Sequence, residues 1–370
     1  MILWLLENFE GTPLWNLFHY VTFRAAFAAV TAFLTAVLLG PRVIAMLRRR
    51  KIGENTEKTD SATLAEMSVS KKGTPTMGGI LIIAAVEVAV LLFGRLSSAH
   101  VQMALLATLG FGAVGFIDDW IKLSYKNRPG LAAASKMGLL VFVSCALAIG
   151  IVIFAERSAD VSAYAVRFPF LKNLELDLSF GHGVLYLLFA MCVMVAASNS
   201  VNLTDGLDGL ATGCAAIASV AFTLILYVTG RADWSTYLNL PHIPGAAELT
   251  IVCAALGGAC IGFLWFNAFP AQVFMGDTGS LTIGGLLGFL AVVAKQELVL
   301  LIVGGVFVVE ALSVILQVGS FKTRGKRIFR CAPIHHHFQF AGWHEVKVVV
   351  RFWIVAVVFA IAGLATLKVR

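Results

Sequence analysis

Residues 137–155 read MGLLVFVSCALAIGIVIFA and contain no charged side chain. A helix rises about 1.5 Å per residue, so this run approaches the ~30 Å of a bilayer's hydrocarbon core. The whole chain is similar in character: 59% of its 370 residues are apolar, 13% are charged, and the mean hydropathy is +0.87. So few charges cannot cover a water-soluble globule. We therefore expect a membrane protein, and neither a soluble nor a disordered one.

Nine further apolar runs lie on either side of this one. Several are shorter than ~20 residues, so those helices are expected to recruit flanking Gly, Thr and Asn or to end inside protein. The pattern predicts an all-α, polytopic integral membrane protein with about ten transmembrane helices, forming a single multi-pass domain over residues 1–370. The ten runs are Thr22–Leu39, Gly79–Phe93, Val101–Ile117, Met137–Ala155, Gly183–Ala197, Leu210–Val228, Leu249–Phe266, Leu281–Ala294, Leu298–Val318 and Phe352–Leu367.

Lys and Arg residues are distributed unevenly between the two sides of these runs. Nineteen fall on one side, in segments 40–77, 118–136, 198–209, 267–280 and 320–351, and eight fall on the other. The positive-inside rule makes the first group cytoplasmic loops and both termini periplasmic. The net charge of +7 is modest for a nucleic-acid-binding protein. It favours anionic membrane lipid or phosphorylated substrates as partners, and no nucleic acid.

Five aspartates lie at the predicted cytoplasmic ends of spans that are far apart in sequence: Asp118, Asp119, Asp205, Asp208 and Asp277. Alternate spans run in opposite directions, so these ends reach one membrane surface and are expected to converge on one cleft. A single aspartate in such a place is more often a helix cap. Five together indicate a functional site.

Residues 199–209 repeat a polar side chain at every third position: Asn199, Asn202, Asp205 and Asp208. A step of three drifts by about 60° per repeat on an α-helix, so the pattern predicts a broken or tightened turn that presents these groups inward. Two interleaved glycines would allow a ligand to approach the backbone closely. A hydrogen-bonded seam between membrane helices is the alternative.

The stretch KKGTPTMGG, residues 71–79, leads into the second span. It lacks the Gly-Lys-Ser/Thr ending of a P-loop. Small residues and cations at a helix start still favour binding of an anion, through free amides and the helix dipole. Tight helix packing is the other explanation of these glycines.

Three adjacent histidines, His335, His336 and His337, lie in the basic loop 320–351. Adjacent side chains point in different directions, so one zinc ion held by all three is not expected. We expect hydrogen bonds to an anionic substrate, with a pH-sensing loop as the alternative.

Two glutamates inside predicted spans, Glu87 and Glu310, favour a different class of protein, a transporter or flippase, because buried carboxylates often mark ion paths. Such a protein would need acids near the middle of the membrane and inverted repeats. The acids here crowd one face, and no convincing repeat of that kind is present. A scaffold without chemistry is supported still less.

Six motifs carry a resemblance to a known family: Gly73–Gly79, Asp118–Lys122, Asn199–Leu210, Asn267, Phe274–Ser280 and Ala332–His337. Together they resemble the bacterial phospho-N-acetylmuramoyl-pentapeptide transferases (MraY) of the polyprenyl-phosphate N-acetylhexosamine-1-phosphate transferase superfamily, over nearly the whole chain. One departure is Gln339, where the family usually has Glu, which leaves a charged role there unsupported.

The resemblance implies an enzyme of peptidoglycan synthesis in the bacterial inner membrane, with its active site on the cytoplasmic face. It would transfer phospho-MurNAc-pentapeptide from UDP-MurNAc-pentapeptide to undecaprenyl phosphate, giving lipid I and UMP, with Mg²⁺ as cofactor. Mg²⁺ prefers carboxylates together with substrate phosphates, and an aspartate cluster at a membrane surface can supply the carboxylates. A sister enzyme using another UDP-N-acetylhexosamine is the alternative, and a homodimer is left open.

Site residues also follow from the resemblance. Phe274 is expected to stack on uracil, and Asp277 to bind Mg²⁺. A lipid phosphate is mostly ionised at pH 7, so we expect direct displacement and no aspartyl-phosphate intermediate. For the lysines, a role in topology alone is the alternative. The catalytic residues implied are Asp118, Asp119, Asp277 and His336. The substrate-binding residues implied are Lys72, Thr76, Lys122, Lys136, Asn199, Asn202, Asp205, Gly206, Asp208, Asn267, Phe274, Gln317, His335 and His337.

Overall fold

The structure is a computed structural model that describes residues 1–2, 11–49, 73–124, 130–158, 164–171, 174–181 and 183–368. These residues are mostly helical, with one antiparallel pair of short strands that pairs Val166 with Leu176. In chain order the elements are α1 (Pro13–His19), α2 (Val21–Arg49), α3 (Gly79–Phe93), α4 (Ala99–Ser124), α5 (Ala133–Ser158), β1 (Ala165–Arg167), β2 (Glu175–Asp177), α6 (Val184–Thr204), α7 (Leu210–Thr229), α8 (Ala232–Leu238), α9 (Ala246–Asn267), α10 (Gly276–Val293), α11 (Glu297–Val303), α12 (Gly305–Arg324), α13 (Ile334–Phe340) and α14 (Glu345–Ala365).

Among the described residues, nine helices are long and apolar enough to cross a membrane: α2, α4, α5, α6, α7, α9, α10, α12 and α14. The helix α3 is equally apolar but has 15 residues, about 22 Å at 1.5 Å per residue. Nine of the ten predicted runs each coincide with one of these ten helices, and the tenth, Leu298–Val318, is divided in the structure. The prediction of an all-α polytopic membrane protein is therefore confirmed, and the orientation of its termini stays a prediction.

One predicted run has a different form. The sequence predicted a single span over Leu298–Val318, whereas the structure divides it at Gly304 into α11 and α12. Two successive glycines weaken a helix, because glycine loses more backbone freedom on folding than other residues and has no side chain to pack. At Gly305 the missing side chain also matters, since a Cβ there would overlap the ring of Phe359 on α14. The missing side chain at Gly305 thus lets α14 pack closely against the start of α12.

Small residues hold the centre of the bundle together. On α2, Ala28 and Ala32 are fully buried, and on α9 a Cβ at Gly258 or Gly262 would overlap the α2 backbone. Small side chains let two membrane helices approach closely, where van der Waals packing drives association. The helix α10 is the most enclosed of the spans, and α2, α6, α12 and α14 expose more of their apolar surface.

A buried ion pair ties three elements at one end of the bundle. Nη1 and Nη2 of Arg24, at the start of α2, donate to the two carboxylate oxygens of Glu248 at 2.8 and 2.7 Å. Nη1 also donates to the carbonyl of Phe93, the last residue of α3. The other end of α3 begins at Gly79, beside α10, where the polar residues of the candidate site gather.

Candidate active site

The first turn of α10 lies against the last turns of α4. Gly115 allows this contact, because a Cβ there would overlap the carbonyl group of Asp277. The approach brings together Asp118, Asp119 and Asp277, and one carboxylate oxygen of each lies within 4.8 Å of the others. Three of the five aspartates therefore converge as predicted.

Asp277 makes the densest set of contacts. Its Oδ2 accepts from the Nζ atoms of Lys122 and Lys136, each at 2.7 Å. Its Oδ1 accepts from Nδ2, the side-chain amide nitrogen of Asn202, at 2.7 Å. One carboxylate at the start of α10 thus joins α4, α5 and α6. The same amide nitrogen also lies 2.8 Å from Oγ of Ser280, one turn further along α10.

Asp118 orients the lysines. Its Oδ2 lies 2.6 Å from Nζ of Lys122 and 3.8 Å from Nζ of Lys136. Its Oδ1 accepts from the backbone N–H of Leu131, just before α5 begins. Asp118 is 2% exposed and is therefore shielded from bulk water, whereas the side chain of Lys122 keeps 39% of its surface exposed.

Asp119 caps α10 from a neighbouring helix. Its Oδ2 accepts from the backbone N–H of Thr278 at 2.9 Å and from the Thr278 hydroxyl at 2.7 Å. Its Oδ1 accepts from the N–H of Asp277 at 3.2 Å. First-turn N–H groups have no partner within their own helix. The helix-cap explanation therefore holds for Asp119, and the cap also fixes the backbone of Asp277.

The cluster has one more carboxylate than it has ammonium groups. Asp118 and Asp119 are buried, and Asp277 is half-buried. Hard oxygen donors that keep an excess of negative charge suit a divalent cation such as Mg²⁺. The donor set therefore fits the metal that the resemblance implied.

The segment 199–209 is more regular than expected. The helix α6 continues through Thr204, and only residues 205–209 form a turn, which ends in Gly209 at φ +78°. Asn199 donates back to the carbonyl of Val195 at 2.9 Å, so this side chain bonds to its own helix. Asn202 lies three residues further on and reaches Asp277 instead.

Neither Asp205 nor Asp208 joins the cluster of three within the described part of the chain. Asp208 holds a different corner, because its Oδ2 accepts from the N–H of Ala271 in the loop after α9. Its own N–H donates to Oε1 of Glu345 at 2.9 Å. The side chain of Asp208 therefore binds a neighbouring loop, and the convergence of all five aspartates on one cleft stays a prediction.

Asn267 is engaged on both sides of its amide. Its Oδ1 accepts from the N–H of Gly209 at 3.1 Å and from the hydroxyl of Thr212 at 3.0 Å. Its Nδ2 donates to the carbonyl of Val273 at 3.0 Å. This side chain therefore pins the start of α7 to the loop that leads into α10.

Phe274 and the glycine-rich segment pair through their backbones. The N–H of Phe274 donates to the carbonyl of Pro75, and its carbonyl accepts from Gly78, both at 2.8 Å. This pairing brings Thr76 close to the start of α10, where a Cβ added at Gly276 would lie 3.0 Å from the Thr76 hydroxyl. Lys72 lies outside the described residues.

The three histidines have three different partners, in agreement with the prediction that they point apart. Nδ1 of His335 lies 3.1 Å from Oε2 of Glu310. Nδ1 of His336 lies 2.8 Å from Oε1 of Gln339, so glutamine at this position still offers the acceptor that glutamate would. Nδ1 of His337 accepts from the N–H of Arg330 at 3.1 Å.

Gln317 fixes the loop that leads to the histidines. Its Oε1 accepts from the backbone N–H groups of Ile328 and Phe329 at 3.0 and 2.9 Å, and its Nε2 donates to the carbonyl of Phe329. The predicted site residues thus form two groups: the cluster around Asp277, and the loop around the histidines.

Sequence reasoning did not assign a role to several residues that hold these groups in place. Thr278 and Ser280 follow Asp277 within a motif that was noticed, so their position at a helix start was the available signal. Glu345 gave no signal beyond an acid in the first turn of α14. Glu310 was noticed only as a buried carboxylate that favoured a transporter, and its contact with His335 was not foreseen.

Comparisons with known proteins agree with this geometry. The family model described as glycosyl transferase family 4 matches residues 101–295, and the phospho-N-acetylmuramoyl-pentapeptide-transferase signature 1 matches residues 71–83. Three similar proteins bear the name phospho-N-acetylmuramoyl-pentapeptide-transferase. The one from Koribacter versatilis is 48% identical, over 99% of this chain and 97% of its own length.

The relatives from Oleidesulfovibrio alaskensis and Desulforapulum autotrophicum are 48% and 49% identical, over 97% and 96% of this chain and 96% of their own lengths. Identity at this level extends over almost the full length of both chains. The match to the signature also falls on the glycine-rich segment that packs against the start of α10. The chain therefore belongs to the phospho-N-acetylmuramoyl-pentapeptide-transferase family.

Proposed function

We propose that this enzyme transfers phospho-MurNAc-pentapeptide from UDP-MurNAc-pentapeptide to undecaprenyl phosphate, giving lipid I and UMP. Family membership supports the reaction. The observation that carries it is the group formed by Asp118, Asp119 and Asp277 with Lys122 and Lys136, at one end of an apolar bundle. A soluble nucleotide sugar and a membrane-anchored acceptor can meet only at such an interface.

Mg²⁺ is the proposed cofactor. Asp277 is the proposed ligand, with Asp118 and Asp119 beside it, because the three offer carboxylate oxygens within 4.8 Å of one another. When bound, the ion would neutralise charge on the donor diphosphate. Asp119 would contribute chiefly by holding the start of α10, since both its oxygens already accept hydrogen bonds there.

Lys122 and Lys136 are the proposed contacts to the donor diphosphate. Their ammonium groups converge on one oxygen of Asp277, so a phosphate bound there would meet two cations already in place. Positive groups fixed before the substrate arrives cost little reorganisation during reaction. The acceptor phosphate is mostly ionised at pH 7, so positioning would contribute more than proton removal.

Direct displacement is therefore the proposed route. In it the acceptor oxygen attacks the sugar-linked phosphorus and UMP leaves. Incubation with the UDP-linked donor alone should give no phosphorylated aspartate. An adduct of phospho-MurNAc-pentapeptide trapped on Asp118 or Asp119 with release of UMP would contradict this route in favour of two steps.

The remaining predicted residues would shape the donor pocket. Phe274 is proposed to stack on uracil, and His336 to lie near the sugar phosphate. Asn267 and Gln317 would act by holding loops, because their amides are engaged with backbone groups. The other proposed substrate contacts are Lys72, Thr76, Asn199, Asn202, Asp205, Gly206, Asp208 and His337, and His335, which is 0% exposed, would act by holding its loop.

The proposed location is the bacterial inner membrane, with the site on the cytoplasmic face and both termini in the periplasm. The support is the excess of Lys and Arg on the side that carries the aspartates. An alkaline phosphatase fused after Arg370 should be active, since this reporter matures only in the periplasm. An inactive phosphatase beside a fluorescent cytoplasmic reporter at the same position would reverse the topology.

A homodimer is also proposed, and its measurement is direct. The detergent-corrected mass of the purified protein should be twice that of the 39.6 kDa chain. A mass of one chain in mild detergent and in nanodiscs would overturn this proposal and leave the transferase reaction unaffected.

The deciding experiment incubates the purified protein with undecaprenyl phosphate, Mg²⁺ and one UDP-sugar at a time, and follows UMP. UDP-MurNAc-pentapeptide should give UMP and a lipid-linked product. Preference for UDP-N-acetylglucosamine would indicate a sister transferase. Movement of lipid across vesicles without UMP would indicate a flippase. The Asp277→Asn variant is the negative control.

A further inference from the structure

A buried carboxylate lies beneath the histidine loop. Glu310 is in the first half of α12, is 0% exposed, and has its Oε2 3.1 Å from Nδ1 of His335, which is also 0% exposed. Neither carboxylate oxygen of Glu310, and neither ring nitrogen of His335, has a hydrogen-bond partner among the described residues. The carboxylate of Glu310 and the ring of His335 therefore form a buried polar contact with each other.

The Nε2 edge of the imidazole lies against the turn after α6. A Cβ added at Gly206 would overlap Nε2 of His335, so the absence of a side chain at Gly206 creates the space for the ring. Gly206 lies between Asp205 and Asp208, in the polar motif already described. His335 is thus enclosed between α12 and this turn.

The energetics favour a specific role for this contact. An isolated carboxylate in an apolar interior costs several kcal/mol, and removing one partner of a buried ion pair leaves the other uncompensated. Nδ1 of His335, 3.1 Å from Oε2 of Glu310, is the polar group that faces this carboxylate. The contact holds one edge of the ring.

His335 begins the short helix α13, and the next two residues carry the histidines predicted to contact substrate. We propose that Glu310 is a positioning residue: through His335 it holds α13 against the turn after α6, and so sets His336 relative to the cluster at Asp277. This inference rests on the proposed transferase function for its kinetic test. Its structural test is independent of substrate.

Glu310→Gln keeps the shape and one acceptor but removes the charge. We expect kcat to fall about 10- to 100-fold, the cost of a small misplacement at a reacting centre, with the KM for the lipid acceptor within about twofold. A merely structural glutamate would lower the melting temperature and leave kcat per folded molecule unchanged. The matched control is Glu87→Gln, a half-buried glutamate of α3, which should keep wild-type activity.

A double-variant cycle tests whether Glu310 acts through His335. If it does, Glu310→Gln combined with His335→Gln loses no more activity than the worse single variant. Losses that multiply would overturn the proposal.

Hydrogen exchange gives a readout that needs no substrate. In Glu310→Gln, the amides of α13 should exchange faster while those of α10 stay protected. Gly206→Ala should have the same effect with Glu310 intact, because the added Cβ displaces the ring, and Gly138→Ala, where nothing lies within 4 Å, should not. Unchanged exchange in α13 in both test variants would refute the proposed positioning role of Glu310. Faster exchange in a protein that is inactive with every UDP-sugar would support the positioning role of Glu310 and reject the transferase function.

Discussion

Nζ of Lys136 lies 2.7 Å from Oδ2 of Asp277, although 141 residues separate the two in sequence. Lys122 reaches the same oxygen from α4, so two helices each contribute a cation to one carboxylate at the start of a third. This arrangement makes Asp277 the centre of the candidate site.

Asp277→Asn should lower turnover by ~10²-fold or more, the scale seen when one placed electrostatic group is removed from an active site. UMP release at saturating substrates measures it. Asp233→Asn changes an exposed acid that pairs with Arg231, and should be indistinguishable from wild type. Full activity of Asp277→Asn at an unchanged Mg²⁺ requirement would remove Asp277 from the mechanism.

Lys136→Gln should reduce kcat/KM for the nucleotide donor by about 10-fold or more, because a neutral amide cannot balance the diphosphate. Lys136→Arg keeps the charge and should retain more activity. Lys322→Gln removes an exposed cation from the last turn of α12 and serves as the control. Equal activity in all three variants would mean that Lys136 acts in topology alone.

Divalent-cation binding should separate two of the aspartates. With Mn²⁺ as a paramagnetic probe, Asp277→Asn should weaken binding by about 10-fold or more, the range in which removing a ligand or its support affects metal affinity. Asp208→Asn should bind Mn²⁺ like wild type, because this carboxylate lies outside the cluster and accepts from Ala271. Equal weakening in both variants would place the ion elsewhere.

Arg24→Ala should lower the free energy of unfolding by about 3–5 kcal/mol, because it leaves the carboxylate of Glu248 buried and unpaired. Arg231→Ala breaks an exposed pair with Asp233 and should leave that free energy almost unchanged, because solvent screens such a pair. Unfolding of the purified protein by SDS measures both. Equal effects would show that burial does not decide the strength of these pairs.

Much of the fold could be predicted from the sequence. Ten apolar runs predicted ten helices, because an apolar segment of helical length has few alternatives in a membrane. Alternation of these runs also predicted that Asp118, Asp119 and Asp277 meet at one end. The break at Gly304 was missed, since a run of apolar residues looks the same whether or not a helix is interrupted.

The partners of the polar groups could not be predicted in this way. Asp119 caps α10, Asp208 binds the loop after α9, and Glu310 contacts His335, yet each was only an acid near a helix end or inside a span. Hydropathy is a local property of consecutive residues, whereas these contacts depend on how closely helices pack.

The sequence by itself therefore determined that the chain spans a membrane many times and that polar groups gather at one end of its helices. Only the tertiary structure decided which carboxylate has two lysines, which caps a helix and which lies under the histidines. The physical reason is that close packing at glycines such as Gly115 and Gly206 sets these distances. The sequence around a glycine does not show which residues of another segment pack against it.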